Sequence, residues 1–177
     1  MGTPVIVNDV GPRDGLQNQK KILEPEQRVA LVRSLLAAGM RHVEVAAFVH
    51  PRAVPAMAGA AEVLAGLAGE PLAAGAELSV LIPNMKGYEL ARDAGARAVA
   101  MVLYGTDEMA EANVRMSKAA AEDATEAILE RARADGVTVM GTISVAFECP
   151  FAGAVDPAVI HAATDRFMAL GLDPWVL

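Results

Sequence analysis

Short apolar segments alternate regularly with longer segments of helical periodicity along this sequence. The short segments are rich in β-branched residues, which favours buried strands, and the longer ones carry apolar residues on one helical face. Ser117 and the pair Asp156–Pro157 are typical helix starts. The pattern predicts five β/α units, with strands at 4–10, 42–49, 77–83, 98–105 and 137–147 and helices at 25–38, 56–67, 87–94, 117–134 and 157–171.

Most of the predicted strands are apolar throughout, which is typical of a parallel sheet that helices cover on both faces. Two architectures contain such a sheet: an open doubly wound sheet and a (β/α)8 barrel. No Rossmann-type glycine fingerprint follows the first predicted strand. A complete barrel takes about 250 residues and rarely fewer than roughly 200, whereas this chain has 177. We therefore expect one α/β domain over 1–177, either an open sheet or an incomplete barrel.

Composition excludes several classes of function. With 15 Lys and Arg against 22 Asp and Glu, the net charge is -7, which argues against binding to nucleic acid or an acidic membrane surface. No apolar run reaches the ~18 residues of a membrane span, and the N-terminus lacks the basic region of a secretory signal. One cysteine cannot form an internal disulfide framework or a cysteine-rich zinc site. We expect a cytoplasmic protein.

The residues best suited to chemistry directly follow the first predicted strand. Arg13 and Asp14 lie there among amides and glycines, and parallel α/β folds place their sites at the carboxyl ends of strands. An arginine keeps its charge and can stabilise an enolate, while an aspartate oxygen can bind a hard divalent cation. The same residues could instead form an Asx-type turn with a salt bridge, and both interpretations stay open at this point.

The segment Val10–Asn18 resembles the opening motif of the 3-hydroxy-3-methylglutaryl-CoA (HMG-CoA) lyase family. The resemblance covers essentially 5–172, and related synthases and aldolases carry a threonine-rich version of this motif instead. It implies parallel β/α units of a TIM barrel, about five of eight being present. Further matches follow in the family's order: Phe48–Val49 with Pro51, Pro83–Asn84 with Lys86–Gly87, and Cys149–Phe151 with Gly153.

The resemblance also implies a carbon–carbon lyase. The family reaction is a retro-Claisen cleavage of HMG-CoA to acetyl-CoA and acetoacetate, in leucine catabolism and ketone body formation, with Mg²⁺ or Mn²⁺ on the substrate oxygens. By resemblance, Asp14 is the metal ligand and Arg13 stabilises the developing enolate of acetyl-CoA. A related 3-hydroxyacyl-CoA is an alternative substrate that the sequence leaves open.

Glu44 is a charged residue inside an apolar predicted strand, so it needs a partner. Its family counterpart lines the cavity and supports the arginine or the metal's surroundings, which groups Glu44 with Arg13 as a catalytic candidate. A structural ion pair is the alternative. Gln17 corresponds to a family pocket residue and is a candidate for substrate binding. Lys20 is a candidate for contact with CoA phosphates, although a solvated lysine is the commoner case.

Thr142 and Ser144 are hydroxyl residues on the fifth predicted strand. Because they are two residues apart, they share one face of that strand. Ser144 matches a family serine, whereas Thr142 replaces a tyrosine. Both are candidates for substrate binding, and hydroxyls satisfied inside the core are the alternative.

The resemblance ends near Leu172, before the family's His-x-His metal pair, asparagine ligand and catalytic cysteine loop. Asp14 is then the one metal ligand present, so we expect an incomplete site in a chain truncated on its C-terminal side and inactive alone. A sheet of five or six strands leaves open edges, which predicts a homo-oligomer or other self-association. The alternative function is a non-catalytic half-barrel remnant or interaction protein.

Overall fold

A computed structural model describes residues 6–176, with the backbone only at 72 and 173–176. The chain divides into two compact units, 1–82 with 89–98 and 83–88 with 99–177. The strands are β1 (Asn8–Asp9), β2 (His42–Ala47), β3 (Glu77–Leu81), β4 (Ala98–Tyr104), β5 (Thr138–Ser144), β6 (Glu148–Cys149), β7 (Gly153–Ala154) and β8 (Asp173–Val176). The helices are α1 (Pro25–Ala37), α2 (Ala60–Leu67), α3 (Met85–Asp93), α4 (Asp107–Val114), α5 (Lys118–Asp135) and α6 (Pro157–Ala169).

The first unit contains three parallel strands in the order β1-β2-β3. The central strand β2 is apolar because it is covered on both sides, and Val43 and Val45 are fully buried. Helix α1 contributes Val32 and Leu36 to the buried side chains. This packing holds β2 rigidly, and β2 carries Glu44.

The second unit contains the neighbouring strands β4, β5 and β8, of which β5 and β8 pair in parallel. Helix α5 buries Ile128, Leu129 and Ala132. The short strands β6 and β7 form a separate antiparallel pair that precedes α6. None of the helices among residues 6–176 is both long enough and apolar enough to cross a membrane.

The predicted helix starts at Ser117 and Asp156 are confirmed. The Ser117 hydroxyl accepts the N–H of Ala120 at 3.2 Å, and the Asp156 carboxylate accepts the N–H of Ala158 at 2.9 Å. Each side chain therefore satisfies an N–H that the first turn of its helix leaves unpaired. Pro157 occupies the first position of α6, where its fixed φ suits the helix.

Several predicted strands and helices are shorter than expected, and in three of them the backbone shows the reason. The first strand covers only Asn8–Asp9 of the predicted 4–10, of which 4–5 lie outside the described residues, because a helical turn starts at Gly11. The segment predicted as a helix at 56–67 is a 3-10 turn followed by α2, since Gly59 has a left-handed φ of 74°. Strand β5 ends at Ser144 rather than 147, because Val145 also has a positive φ, 55°.

Two elements were not predicted as separate units. Helix α4 follows β4, with Thr106 as its N-cap. The terminal segment Asp173–Val176, which lies beyond the five predicted units, is a strand that pairs with β5. The sequence of this segment does not predict a strand, because it contains Pro174. Its strand conformation depends on the pairing with β5.

Candidate functional site

A π-helical turn over Gly11–Gly15 follows β1 and carries the first two candidate residues. The carbonyl oxygen of Val10 accepts the N–H groups of Arg13, Asp14 and Gly15 at 3.2, 2.7 and 3.3 Å. Single π-helical turns of this kind are rare and are frequent at functional sites. The turn brings Arg13 and Asp14 to the carboxyl end of β1, where parallel α/β folds bind their ligands.

Gly11 lies in close contact with Asp9 where the chain enters this turn. Its N–H donates to the Asp9 carboxylate at 2.8 Å, and a Cβ atom on Gly11 would lie 2.9 Å from the same oxygen. The Asx-type turn that was one interpretation of the segment is therefore present. It coexists with the candidate site, because Asp9 holds the turn while Arg13 and Asp14 make other contacts.

At the other end of the turn, Leu16 packs against the core. It packs against a buried cluster of Ala47, Ala56 and Met57. Ala47 is the last residue of β2, so the turn after β1 and the end of β2 are held together by apolar contact. This contact fixes the distance between Arg13 and β2 within the first unit.

Arg13 joins two carboxylates. Its Nε–H donates to Oε1 of Glu44, and its Nη1 donates to Oδ1 of Asp14 at 2.7 Å. The three side chains differ in exposure, at 5% for Glu44, 15% for Arg13 and 57% for Asp14. The partner that the buried charge of Glu44 requires is therefore Arg13. The two interpretations of Glu44, a structural ion pair and a residue that supports the arginine, describe this one interaction.

Burial dominates the electrostatics of Glu44. It raises the pKa of Glu44 above its ordinary value, and the nearby negative charge of Asp14 adds to this increase. The charge and hydrogen bond of Arg13 oppose the increase without cancelling it. Arg13 therefore has one buried partner whose ionisation is costly and one exposed partner in contact with solvent.

Gln17 and Lys20 lie close in sequence to this group but are not bonded to it. Gln17 is half-buried in the helical turn that continues from the π-helical turn, and Lys20 is exposed. Within residues 6–176, Arg13 donates to the two carboxylates and to neither of these side chains. Their roles in substrate binding stay predictions.

Thr142 and Ser144 belong to the second unit. Both are half-buried and flank the buried Ile143 on β5, so they lie on one face of the strand as predicted. The carbonyl oxygen of Ser144 accepts the N–H of Gly105 at 3.0 Å, which ties the end of β5 to the end of β4. Their contact with a substrate also stays a prediction.

Sequence reasoning missed Ser79. This residue lies on β3 in register with Glu44, is 1% exposed, and its hydroxyl has no hydrogen-bond partner in the described part of the chain. The signal that selected Glu44, a polar residue inside an apolar strand, also applied to Ser79. A serine is neutral and small, so the cost of its burial is less evident from sequence.

Comparison with known proteins supports the resemblance. Residues 4–173 match the family described as HMGL-like. The chain belongs to the HMGL-like family. Like this chain, its members with solved structures are built of parallel β/α units: the crystal structure of hydroxymethylglutaryl-CoA lyase from Pseudomonas aeruginosa superimposes with a TM-score of 0.88 at 38% identity, over 95% of this chain and 55% of that one. The fold of this HMGL-like chain is therefore that of an incomplete TIM barrel.

Two curated relatives are acyl-CoA lyases by name. The (R)-citramalyl-CoA lyase of Chloroflexus aurantiacus is 39% identical over 98% of this HMGL-like chain and 57% of its own length. The 3-hydroxy-3-isohexenylglutaryl-CoA/hydroxy-methylglutaryl-CoA lyase of Pseudomonas aeruginosa is 41% identical over 92% of this chain and 53% of its own length. The chain therefore spans about half the length of the curated relatives it matches.

The described residues of this HMGL-like chain do not form a complete cation site. Among residues 6–176, no group of three or more His, Cys, Asp and Glu side chains is arranged to hold a metal. Asp14 offers an exposed carboxylate, but one of its oxygens accepts from Arg13. Mg²⁺ in proteins is usually bound through one or two carboxylates and several waters, so a single carboxylate shared with Arg13 is a weak site by itself.

Proposed function

We propose that this chain provides the enolate-stabilising part of a lyase that cleaves a 3-hydroxyacyl-CoA by a retro-Claisen reaction, with HMG-CoA as the substrate. The observation that carries the proposal is the guanidinium of Arg13, held between Glu44 and Asp14 at the end of β1. Family membership supports it. A cytoplasmic location and a place in leucine catabolism stay predictions from the sequence.

Arg13 retains donors for a substrate. A guanidinium has five N–H bonds in a planar fork, and the bonds to Glu44 and Asp14 engage only Nε and Nη1. Nη2 and the second hydrogen of Nη1 can therefore meet an oxygen on which negative charge develops. Two carboxylates hold the group in place, so little reorganisation accompanies the reaction.

In the cleavage, the C3 hydroxyl of HMG-CoA loses its proton and becomes the ketone of acetoacetate as the C2–C3 bond breaks. The bonding pair moves to C2 and the thioester oxygen, forming the enolate of acetyl-CoA. Arg13 stabilises the charge on that oxygen, and C2 then takes a proton to give acetyl-CoA. We assign the proton-transfer groups to the part of the longer relatives that this chain does not match.

Asp14 contributes one oxygen ligand to a divalent cation, Mg²⁺ or Mn²⁺ in our proposal. Such a cation, when bound, polarises the substrate oxygens. The described residues supply too few ligands to hold it, so the further ligands must come from outside them. We propose that the isolated chain is inactive for this reason.

The identity of the substrate is a choice between related thioesters. The relatives include a lyase for (R)-citramalyl-CoA as well as one for hydroxymethylglutaryl-CoA, at 39% and 41% identity. Both are branched 3-hydroxyacyl-CoA molecules, so the chemistry of Arg13 suits either. (R)-Citramalyl-CoA is therefore the second candidate substrate.

The test is release of acetyl-CoA from HMG-CoA and from (R)-citramalyl-CoA, each with Mg²⁺ or Mn²⁺. The chain is assayed alone and mixed with the unmatched half of the Pseudomonas aeruginosa relative, beside Arg13→Lys and Asp14→Asn. We expect no release by the chain alone and release by the mixture that both substitutions abolish. Release that is independent of Arg13 and Asp14 would contradict the proposal.

A second candidate function is self-association of a non-catalytic half-barrel. Strand β1 has a partner on one side only among the described strands. Ile6, Val7 and Val10 beside it are 53%, 66% and 37% exposed. A groove of about 530 Å³ adjoins the turn after β1, and its apolar lining includes Leu16, Leu23, Leu31 and Leu35. Exposed apolar strand edges recruit other chains, here a second copy.

Light scattering coupled to size-exclusion chromatography tests this candidate. We expect the wild-type chain to be a dimer or larger, and Val7→Lys to shift it toward the monomer, because a charged edge opposes strand pairing. Leu90→Lys, on an apolar side chain that is 48% exposed and far from β1 in sequence, is the matched control. A wild-type chain that is monomeric at high concentration would contradict self-association.

A further inference from the structure

The buried hydroxyl of Ser79 has no role in the fold or in the site as described so far. Its side chain is 1% exposed, and its Oγ has no hydrogen-bond partner in the described part of the chain. Buried polar groups are nearly always hydrogen-bonded, because the desolvation of an unpaired one is costly. An unpaired hydroxyl at this position therefore calls for a partner within its reach.

The register of the sheet indicates that partner. Strands β2 and β3 are parallel, and Glu44 and Ser79 are paired residues in their register. Paired residues on neighbouring strands point to the same face of the sheet, and the strands are about 4.8 Å apart. The Ser79 hydroxyl and the Glu44 side chain therefore share one face at the same height.

Arg13 and Ser79 lie on opposite sides of Glu44. The strand order is β1-β2-β3, so Arg13 approaches Glu44 from the end of β1 and Ser79 stands on β3. Arg13 binds Oε1 of Glu44. The Glu44 carboxylate is only 5% exposed, so a second donor must come from protein or from an enclosed water.

We propose that Ser79 is a positioning residue for the site: its hydroxyl donates through one enclosed water to the Glu44 carboxylate, and so fixes the carboxylate that holds Arg13. A bridging water serves almost as well as a direct bond in such a position. The importance of Ser79 for catalysis rests on the proposed function. Its effect on Glu44 and Arg13 does not, and can be measured without substrate.

The experiment follows the Nε–H signal of Arg13 by NMR in the full ¹⁵N-labelled chain, assigned by its loss in Arg13→Lys. In Ser79→Ala we expect the signal to move and its hydrogen to exchange with solvent about three to ten times faster, because the Glu44 carboxylate is less well held. Ser79→Thr keeps the hydroxyl and should restore both properties. Ser79→Cys keeps the volume with a weaker donor and should change the signal in the same direction as Ser79→Ala.

Thr125→Val is the matched control. Thr125 is 2% exposed, and its hydroxyl donates to the carbonyl oxygen of Ala121 on α5. Its removal should reduce stability and leave the Arg13 signal unchanged. If Ser79→Ala and Ser79→Cys also leave that signal unchanged, the proposal is wrong. A chain without lyase activity in any mixture would contradict the proposed function but not the coupling of Ser79 to Arg13.

Discussion

The Nε–H of Arg13 donates a hydrogen bond to the carboxylate of Glu44, 31 residues further along the chain. Arg13 comes from the turn after β1 and Glu44 from the interior of β2. Glu44 is almost completely buried, and Arg13 is its cationic partner. Removal of either side chain leaves a charge in a poorly hydrated position, which is more costly than the loss of an exposed pair.

The pH dependence of stability should report the buried carboxyl of Glu44. Its pKa is raised in the folded state from an ordinary value of 4.5. Between pH 4.5 and the raised value, the folded chain binds more protons than the unfolded chain, so this contribution to stability is present below that range and lost as pH rises through it. In urea unfolding, the free energy of unfolding of Glu44→Gln should fall less steeply with pH than that of the wild type over this range, because glutamine does not titrate.

The control for that measurement is Glu111→Gln, which changes an exposed carboxylate on α4. It should follow the wild-type pH dependence. If wild type and Glu44→Gln give parallel curves of unfolding free energy from pH 4 to 8, the pKa of Glu44 is not raised by burial.

Gly11 should be sensitive to substitution and Gly15 should not, although both belong to the same turn. A Cβ on Gly11 would meet Asp9 Oδ1 at 2.9 Å and disturb the hydrogen bond between them, whereas nothing lies within 4 Å of a Cβ on Gly15. Gly11→Ala should therefore reduce the free energy of unfolding by about 1 kcal/mol. Thermal or urea unfolding compares the two variants, and equal effects would argue against the close approach of Asp9.

Divalent cations should bind this chain weakly. Among the described residues, the proposed ligand Asp14 offers a single carboxylate, and that carboxylate is already bonded to Arg13. We expect Mn²⁺ to bind with a dissociation constant of about 1 mM or weaker, measured by electron paramagnetic resonance of the free ion. Asp14→Asn should abolish this binding, while Asp93→Asn, at an exposed aspartate also paired with an arginine, should not. Micromolar affinity would show that the site is more complete than the described residues indicate.

Cys149 should react slowly with thiol reagents because its side chain is buried, although its lowered pKa favours the reactive thiolate. Burial by itself raises the pKa of Cys149. Hydrogen bonds from the Thr106 hydroxyl and the backbone N–H groups of Phe151 and Ala152 have the larger combined effect, so the pKa lies below its ordinary value. The side chain is 2% exposed. Reaction with a disulfide reagent should be at least about tenfold slower in the native chain than in urea. Fast native labelling would mean that the hairpin of β6 and β7 opens readily.

The alternation of strands and helices was predictable because it depends on local periodicity and on helix caps. The starts of α5 and α6 follow from Ser117 and Asp156 in this way, each of which bonds within three residues of itself. The resemblance of Val10–Asn18 likewise identified Arg13 and Asp14, since the motif is continuous in sequence. The boundaries failed where a backbone angle decided them, as at Gly59 and Val145.

The sequence by itself therefore determined the α/β class, the order of the elements and the residue types available at the end of the first strand. Only the tertiary structure decided that Glu44 is the partner of Arg13, that Ser79 is in register with Glu44, and that Asp173–Val176 is a strand. These relationships join residues that are tens of positions apart. They depend on how strands from distant parts of the chain pair and align, which the spacing of residues within one segment does not specify.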